Sequence, residues 1–447
     1  MSSPSILWFR QDLRLSDNAA LNAAAAEGPV VAVYVFDEHA GAAQHWWLHH
    51  SLTALSNSLR ERGVPLILRR GDAVAELNAL MAETGATHIH AMRAYEPWWK
   101  AADTALGDAL TLHHGNYLVH PPTVLTGSGG RYKIFTPYWR AILGRMPPPL
   151  PLKAPETIKG VAAKSDRLAD WDLLPTKPDW STGFDVWTPG EAGAKAALKL
   201  WLDHVDDYDR ARNMPSEAGV SRLSPHLHFG EISPATVWHH VAKRVGEKGE
   251  PYLREIGWRD YAANTIDQFP DYGTANARAD FDRLPWRDAE ADFVAWTKGQ
   301  TGYPIVDAGM RELWATGWMH NRVRMITASF LIKHLLIDWR RGEQWFRETL
   351  LDYDAASNAV NWQWTAGTGV DSNMFVRIMA PLSQSEKFDA GAYIRKWVPE
   401  LVRLSDPHIH DPDEFGTRPQ DYPSKIIGHR EGRERALSAY AAMKATT

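Results

Sequence analysis

The chain has 447 residues, 44% of them hydrophobic and 23% charged, with a formal net charge of −5. Such a composition is that of a soluble globular protein of two or three domains, and its acidic average argues weakly against a nucleic-acid partner without forbidding a locally basic face. The absence of cysteine excludes disulfides, thiolate catalysis, zinc–thiolate sites and iron–sulfur clusters together.

The opening MSSPSILWFRQDLR has no basic region followed by an apolar one, so it does not read as a signal peptide. Runs such as PVVAVYVF (29–36) are too short to span a bilayer, and the expected location is the cytoplasm. Residues 1–115 alternate short apolar runs with helical stretches. SILWF, VVAVYVF, PLILRR, THIHAM and ALTLHH read as buried strands, and HWWLHHSLTALSNSLRERG reads as a helix closing on glycine. This rhythm predicts a doubly wound parallel sheet, a Rossmann-like α/β domain. No GxGxxG follows the first strand, so the usual dinucleotide fingerprint is missing. Residues 116–195 are rich in Pro and Gly and read as a long linker over the surface. Residues 196–447 are helical in pattern, an all-α second domain. WMHNRVRMITASFLIKHLLIDW (318–339) reads as one helix, and EGRERALSAYAAMKATT as the last.

No GxSxG, HExxH, P-loop or EF-hand pattern is present. HIHDPDE (408–414) and HWWLHH (45–50) lack a ligand framework and read as surface histidines, so no metal is expected. Tryptophan is unusually frequent, 21 against 14 Tyr and 13 Phe, which favours stacking or redox work beside core packing. On the 318–339 helix, Asn321, Arg324 and Met325 share a face with Trp318 in an otherwise apolar, buried stretch. A buried arginine needs a carboxylate, and Asp352 and Asp354 are the natural candidates. Such a polar stripe suits a polar cofactor with an apolar ring. In the run DYDAASNAVNWQW, Trp362 and Trp364 point in different directions whether the segment is extended or helical, so each needs its own partner.

Five segments, WFRQDLRLSDNAAL (8–21), RYKIFTP (131–137), RLSPHLHFGEIS (222–233), TGYPIVDAGMRELWATGWMHNRVRMITASFLIKHLLIDW (301–339) and DYDAASNAVNWQW (352–364), carry a resemblance over essentially the whole chain. It resembles the photolyase/cryptochrome flavoproteins, most closely the bacterial photolyases that repair cyclobutane pyrimidine dimers. The resemblance implies an N-terminal antenna domain and a helical C-terminal domain holding FAD. Tyr208, the segment Ser221, Arg222, Leu223 and Ser224, Asn321, Arg324 paired with Asp352, and Asp354 would hold the cofactor, with Asn358 beside the reactive nitrogen of the flavin. The family often has Thr before that segment; Val220 here would remove one hydroxyl contact, with slightly weaker or rearranged binding. Trp362, then Trp339, then Trp286 would form an electron-transfer chain toward the surface. Trp364 and Trp258 would wall the substrate cavity, Glu255 would bond the thymine edge, and Asn321 and Met325 would complete its floor. Arg212, Arg322 and Arg377 are the expected phosphate contacts on UV-damaged DNA. Glu96, after Tyr95, would contact a folate (methenyltetrahydrofolate) antenna on which the paired Trp98 and Trp99 could stack; a helix-start acid is the other reading, and a deazaflavin, another flavin or no antenna stay open.

The implied activity is light-driven dimer repair by a monomer, with electron transfer from photoexcited reduced FAD to a flipped-out lesion. A signalling cryptochrome is the alternative, although no extended tail is expected after the last helix. Repair of the (6-4) lesion would want histidines where Asn321 and Met325 stand, and a DASH-type enzyme preferring single strands stays open.

Overall fold

The computed structural model describes residues 3–36 and 39–445; the ends of the opening and closing stretches read above, residues 1–2 and 446–447, lie outside the described residues. Five apolar runs form β1 (Ser5–Phe9), β2 (Val30–Phe36), β3 (Leu66–Arg70), β4 (His88–Met92) and β5 (Leu110–His113). They pair in parallel in the order β3-β2-β1-β4-β5, with Trp8 opposite Val33 on one side and Ala91 on the other. Every residue of β1 is buried, because helices cover both faces of the sheet; that is why the strands read as continuous apolar runs without alternation. The Ala42–Arg60 helix lies where the glycine-terminated pattern placed one.

The Pro/Gly-rich segment 116–195 does more than cross the surface. It contains the Phe135–Leu143 helix, whose Phe135, Tyr138 and Trp139 are buried against the long Glu250–Gln268 helix. Gly257 makes that approach possible: a Cβ there would lie 2.4 Å from the Trp139 ring.

The 318–339 stretch is not one helix. Residues Asn321–Ser329 are α-helical, and Phe330–His334 wind as a π-turn in which Leu335 N–H bonds the Phe330 carbonyl. Leu336 then takes φ +53°, a left-handed conformation uncommon for leucine, and ends the run. Asp338 caps a new helix, Trp339–Thr349, by accepting from Arg340 N–H. The fully buried Lys333 adds a tie, donating to the Ala366 carbonyl at 3.1 Å, at the end of the Ala355–Ala366 helix. The reversal places Trp339 on a helix packed against Ala355–Ala366.

The α/β and helical parts meet through two of the motifs singled out above. Arg14 is buried and donates to the Gly230 carbonyl at 2.8 Å and to Asn116 at 3.0 Å, while Leu13 N–H bonds the Phe229 carbonyl. Gly230 has φ +64°, and a Cβ on it would stand 1.9 Å from the Gln11 carbonyl oxygen. Gly230→Ala is therefore expected to destabilise the protein by roughly 2–5 kcal/mol through strain and overpacking. Its denaturation midpoint should fall well below that of Gly416→Ala, where φ is also positive, +64°, but nothing stands within 4 Å.

Candidate active site

A cavity of about 320 Å³ opens into the helical part of the molecule. Its inner wall comes from the Asn321–Ser329 and Ala355–Ala366 helices, and its mouth from Glu255 and Trp258 on the Glu250–Gln268 helix with Arg212 opposite. Arg324 reaches across the inner wall. Its Nη2 donates to Asp352 Oδ2 at 2.8 Å and its Nε to the Met319 carbonyl at 2.7 Å. The other Asp352 oxygen, Oδ1, is buried and has no partner in the protein, so it is free to accept from a polar ligand. Of the two candidate carboxylates, only Asp352 meets Arg324. Asp354 caps the next helix by accepting from Ser357 N–H at 2.7 Å and stands 3.6 Å from His228. Burial works to raise its pKa, but His228, Arg259 and the Ser357 amide together hold it well below the usual carboxylate range.

The two tryptophans of NWQW separate as helical geometry requires. Trp362 turns inward and is 3% exposed, edge-on to Phe346 (5.0 Å) and Trp296 (6.4 Å). Gly342 leaves room for it, since a Cβ there would lie 2.2 Å from its ring. Trp364 turns toward the mouth, where it lines the cavity together with Trp258. Trp258 has one face covered by Phe135, stacked at 3.7 Å, and presents the rest to the cavity. Asn321, Arg322, Met325, Asn358 and Glu255 also line it. Asn358 is held by Glu343, to which its Nδ2 donates at 3.0 Å. Burial raises the Glu343 pKa, against the opposing effect of Asn358 and Arg347.

The remaining expected residues lie outside the lining. Tyr208 sits behind Arg212, its ring 5.2 Å from the guanidinium. The Ser221–Ser224 segment stands one layer back: Arg222 lies over the Trp318 ring at 4.8 Å, Ser224 Oγ accepts from Trp318 Nε1 at 3.3 Å, and Leu223 is buried. Val220, in place of the hydroxyl residue, packs between two apolar clusters. Trp339 is fully buried and donates to Asn276 at 2.9 Å, and Trp286 is half-buried on the same core as Trp362. The indole in ring contact with Trp362 is Trp296, not Trp339. Arg377 is exposed, on the connection that follows the Ala355–Ala366 helix. Glu96 is wholly buried, its carboxylate accepting from Tyr95 N–H and facing inward toward Asp354; burial and that acid raise its pKa. Trp98 stacks on His39 and Trp99 meets Trp8 edge-on, and both also line a small pocket of about 60 Å³ that Glu96 does not reach.

Sequence reasoning missed Trp296, Glu343 and His320. Trp296 and Glu343 lie in no motif, and only long-range packing brings them here. His320 stands inside a quoted motif but one position off the polar stripe. It caps the Asn321–Ser329 helix through Nδ1, and burial together with Arg322, Arg324, Arg222 and Arg212 pushes its pKa down to about 4. These four guanidiniums come from different places: Arg322 and Arg324 from the cavity lining, Arg212 from its mouth and Arg222 from the layer behind.

A sheet domain is thus joined to a helical domain whose cavity pairs an arginine–aspartate anchor with aromatic walls, a lining suited to a polar ligand with an aromatic ring. Residues 252–442 match the FAD binding domain of DNA photolyase, and residues 5–156 match the DNA photolyase family. The deoxyribodipyrimidine photo-lyase of Agrobacterium fabrum is 49% identical over all of this chain and 99% of its own length. Cryptochrome-1 of Arabidopsis thaliana is 37% identical over 98% of this chain and 70% of its own. The crystal structure of a bacterial class III photolyase from Agrobacterium tumefaciens superposes with a TM-score of 0.95 at 48% identity, covering 100% of this chain and 98% of that one. The chain belongs to the photolyase/cryptochrome family, and its cofactor is FAD.

Arg324 and the free Asp352 oxygen fit a polar cofactor, and Phe346, Leu350 and Trp362 fit its ring system. Asp352→Ala leaves Arg324 without its carboxylate, an expected loss of about 2–4 kcal/mol, or roughly 30- to 700-fold in FAD affinity. Flavin absorbance per chain in the purified variant measures it, with unchanged far-UV circular dichroism showing that the helices persist.

Proposed function

We propose that this protein repairs cyclobutane pyrimidine dimers in DNA, acting as a monomer on a lesion flipped into the cavity. The observation that carries the reading is the joint lining of one cavity by the Arg324–Asp352 anchor and Asn358 on its inner wall and by Glu255, Trp258 and Trp364 at its mouth. The names of the relatives point the same way. Bound in its reduced form, FAD would supply the light-driven electron chemistry that cyclobutane splitting needs.

The protein's own residues do the rest. A dimer cannot reach the cavity from inside a duplex, and photolyases are among the enzymes that extrude their target base; poor stacking of a damaged pair lowers that cost. Trp258 and Trp364 offer two flat faces to the joined pyrimidines, worth roughly 1–3 kcal/mol per stacked base. Asn321 and Met325 would form the floor, and Asn358, fixed by Glu343, would hold the cofactor from the inner wall. Arg212, Arg322 and the more distant Arg377 are the phosphate contacts. Trp362 feeds electrons to the cofactor from the apolar core, through Trp339 and Trp286 or through its neighbour Trp296. The (6-4) reading has less support: the nearby histidine, His320, is used as a helix cap and does not line the cavity.

A second chromophore has support at another place than Glu96. Trp314 and Trp345 lie nearly parallel (13°) beside a 210 Å³ pocket that also takes in Trp180 and Glu348. Trp314 is 55% exposed, an unusual setting for an indole. The helix that gives Trp345 and Glu348 to this pocket gives Phe346 and Leu350 to the flavin cavity. A flat pterin there would lie about one helix diameter, roughly 10 Å, from the flavin site.

Recovery of thymine absorbance in UV-irradiated oligothymidine under blue light, with reduced enzyme and none in the dark, tests the repair reading. Absence of recovery with FAD bound and reduced would overturn it in favour of a photoreceptor. Trp364→Ala should weaken binding of the damaged oligonucleotide by about 5- to 150-fold. Trp362→Phe should slow photoreduction of oxidised enzyme while sparing repair by chemically reduced enzyme. Trp314→Ala should lower any near-UV absorbance beyond that of flavin in the purified protein.

A further inference from the structure

Two residues given separate tasks at the cavity mouth satisfy one another in the free protein. Arg212 Nη1 stands 2.6 Å from Glu255 Oε1, and both side chains line the cavity. The pair is 24% and 28% exposed, and it bridges the Tyr208–Ala211 turn to the Glu250–Gln268 helix across the entrance. A Glu255 held this way has an oxygen committed to a cation, and an Arg212 held this way is not free for a phosphate. Arg322 lies alongside. Its guanidinium bonds Asn213 and Met325 and covers the Phe388 ring at 4.6 Å, and it makes no ion pair among the described residues. Arg212 thus has Glu255, while Arg322 beside it has no carboxylate partner among the described residues and is open to an incoming anion.

We propose that the Arg212–Glu255 ion pair is a latch on the lesion site, opened when a phosphate of the dimer-bearing strand takes Arg212 and the freed Glu255, binding one proton from solvent, turns to the pyrimidine edge. The proposal rests on the repair function above and names how that site admits its substrate. The charge balance is simple. Arg212 exchanges a carboxylate for a phosphate, and Glu255 passes from carboxylate to neutral acid.

The proton follows from desolvation. A bound dimer covers the exposed quarter of Glu255, and an ionised carboxylate sealed there without its guanidinium would cost several kcal/mol. A neutral carboxyl instead both donates and accepts, which matches a pyrimidine edge bearing a carbonyl and an N–H. The groups facing Glu255 are Arg212 and Tyr208 from the opposite element, Arg254, Glu250 and Tyr252 from its own helix, and Asn321 and Arg322 from across the cavity. In the free protein, burial already pushes the Glu255 pKa up, with Arg212 the main opposing influence. Removing Arg212 raises it further. A bound-state pKa above the free-state one means affinity is greatest below the free-state pKa and falls as pH rises between the two, by up to tenfold per pH unit.

The test is dark binding of FAD-loaded enzyme to an oligothymidine carrying a single dimer, and to the same oligonucleotide undamaged, from pH 5.5 to 9 at constant ionic strength. The ratio of the two affinities should decline with pH for the native chain. Calorimetry in two buffers of different ionisation enthalpy should show uptake approaching one proton. Glu255→Gln, neutral at every pH, should give a flat ratio and no uptake. Arg212→Lys, which loosens the latch but keeps the cation, should take up less than the native chain. A preference for the dimer with no pH slope, or with the same slope in Glu255→Gln, overturns the latch and leaves the repair reading standing. No preference for the dimer at any pH overturns both.

Discussion

The 2.8 Å bond between Arg324 and Asp352 joins the two helices that wall the cavity. Arg324 belongs to the Asn321–Ser329 helix, and Asp352 lies two residues before the Asp354 cap of the Ala355–Ala366 helix. Apolar side chains at both positions would pack the helices together and fill the space. An arginine and an aspartate hold them apart, and the price is a buried ion pair that is stable only while both partners stay. Asp352 keeps one oxygen unpartnered, and the site therefore has an unmet polar demand that the cofactor can satisfy. Stability and function are set by the same contact.

Charge is distributed to the same end. The net charge of −5 is an average over a molecule whose interior gathers Arg212, Arg222, Arg322 and Arg324 around His320. Among the described residues, only Arg324 and Arg212 of these have carboxylate partners within 4 Å, and both partners line the cavity. The uncompensated pair, Arg222 and Arg322, is spread over aromatic faces, Trp318 and Trp187 for one and Phe388 for the other. A guanidinium tolerates such settings because it is weakly hydrated and stacks. In the cavity lining itself Arg212, Arg322 and Arg324 stand against Glu255, Asp352 and Asp354, so the net charge of the whole protein does not describe the site.

The fold was legible wherever burial is complete and local. The five strands stand out because both faces of the sheet are covered, and the alternation of strands and helices implies their parallel pairing; their order, β3-β2-β1-β4-β5, comes from the structure. The break near Leu336 was hidden, since FLIKHLLID contains no glycine or proline; its one visible sign was Asp338, an N-cap residue inside an apolar stretch. In the site, the motif residues Asp352, Asn358, Trp362 and Trp364 came from one continuous run, the Ala355–Ala366 helix and the residues just before it, and could be read together. The side chains that meet them, Trp296 on Trp362 and Glu343 on Asn358, come from elements whose placement depends on that hidden reversal. Glu96 shows the opposite failure. A helix-start acid after a strand looks available to a ligand, yet the packing of the two domains buries it beside Asp354.

The central claim is that flavin and lesion share this one cavity, close enough for direct electron transfer. Time-resolved fluorescence of the reduced, FAD-loaded enzyme tests it without relying on turnover. Binding of an oligonucleotide with a single dimer should shorten the flavin excited-state lifetime, and the undamaged oligonucleotide at the same occupancy should not. An unchanged lifetime with the dimer demonstrably bound would place the lesion elsewhere and contradict the account.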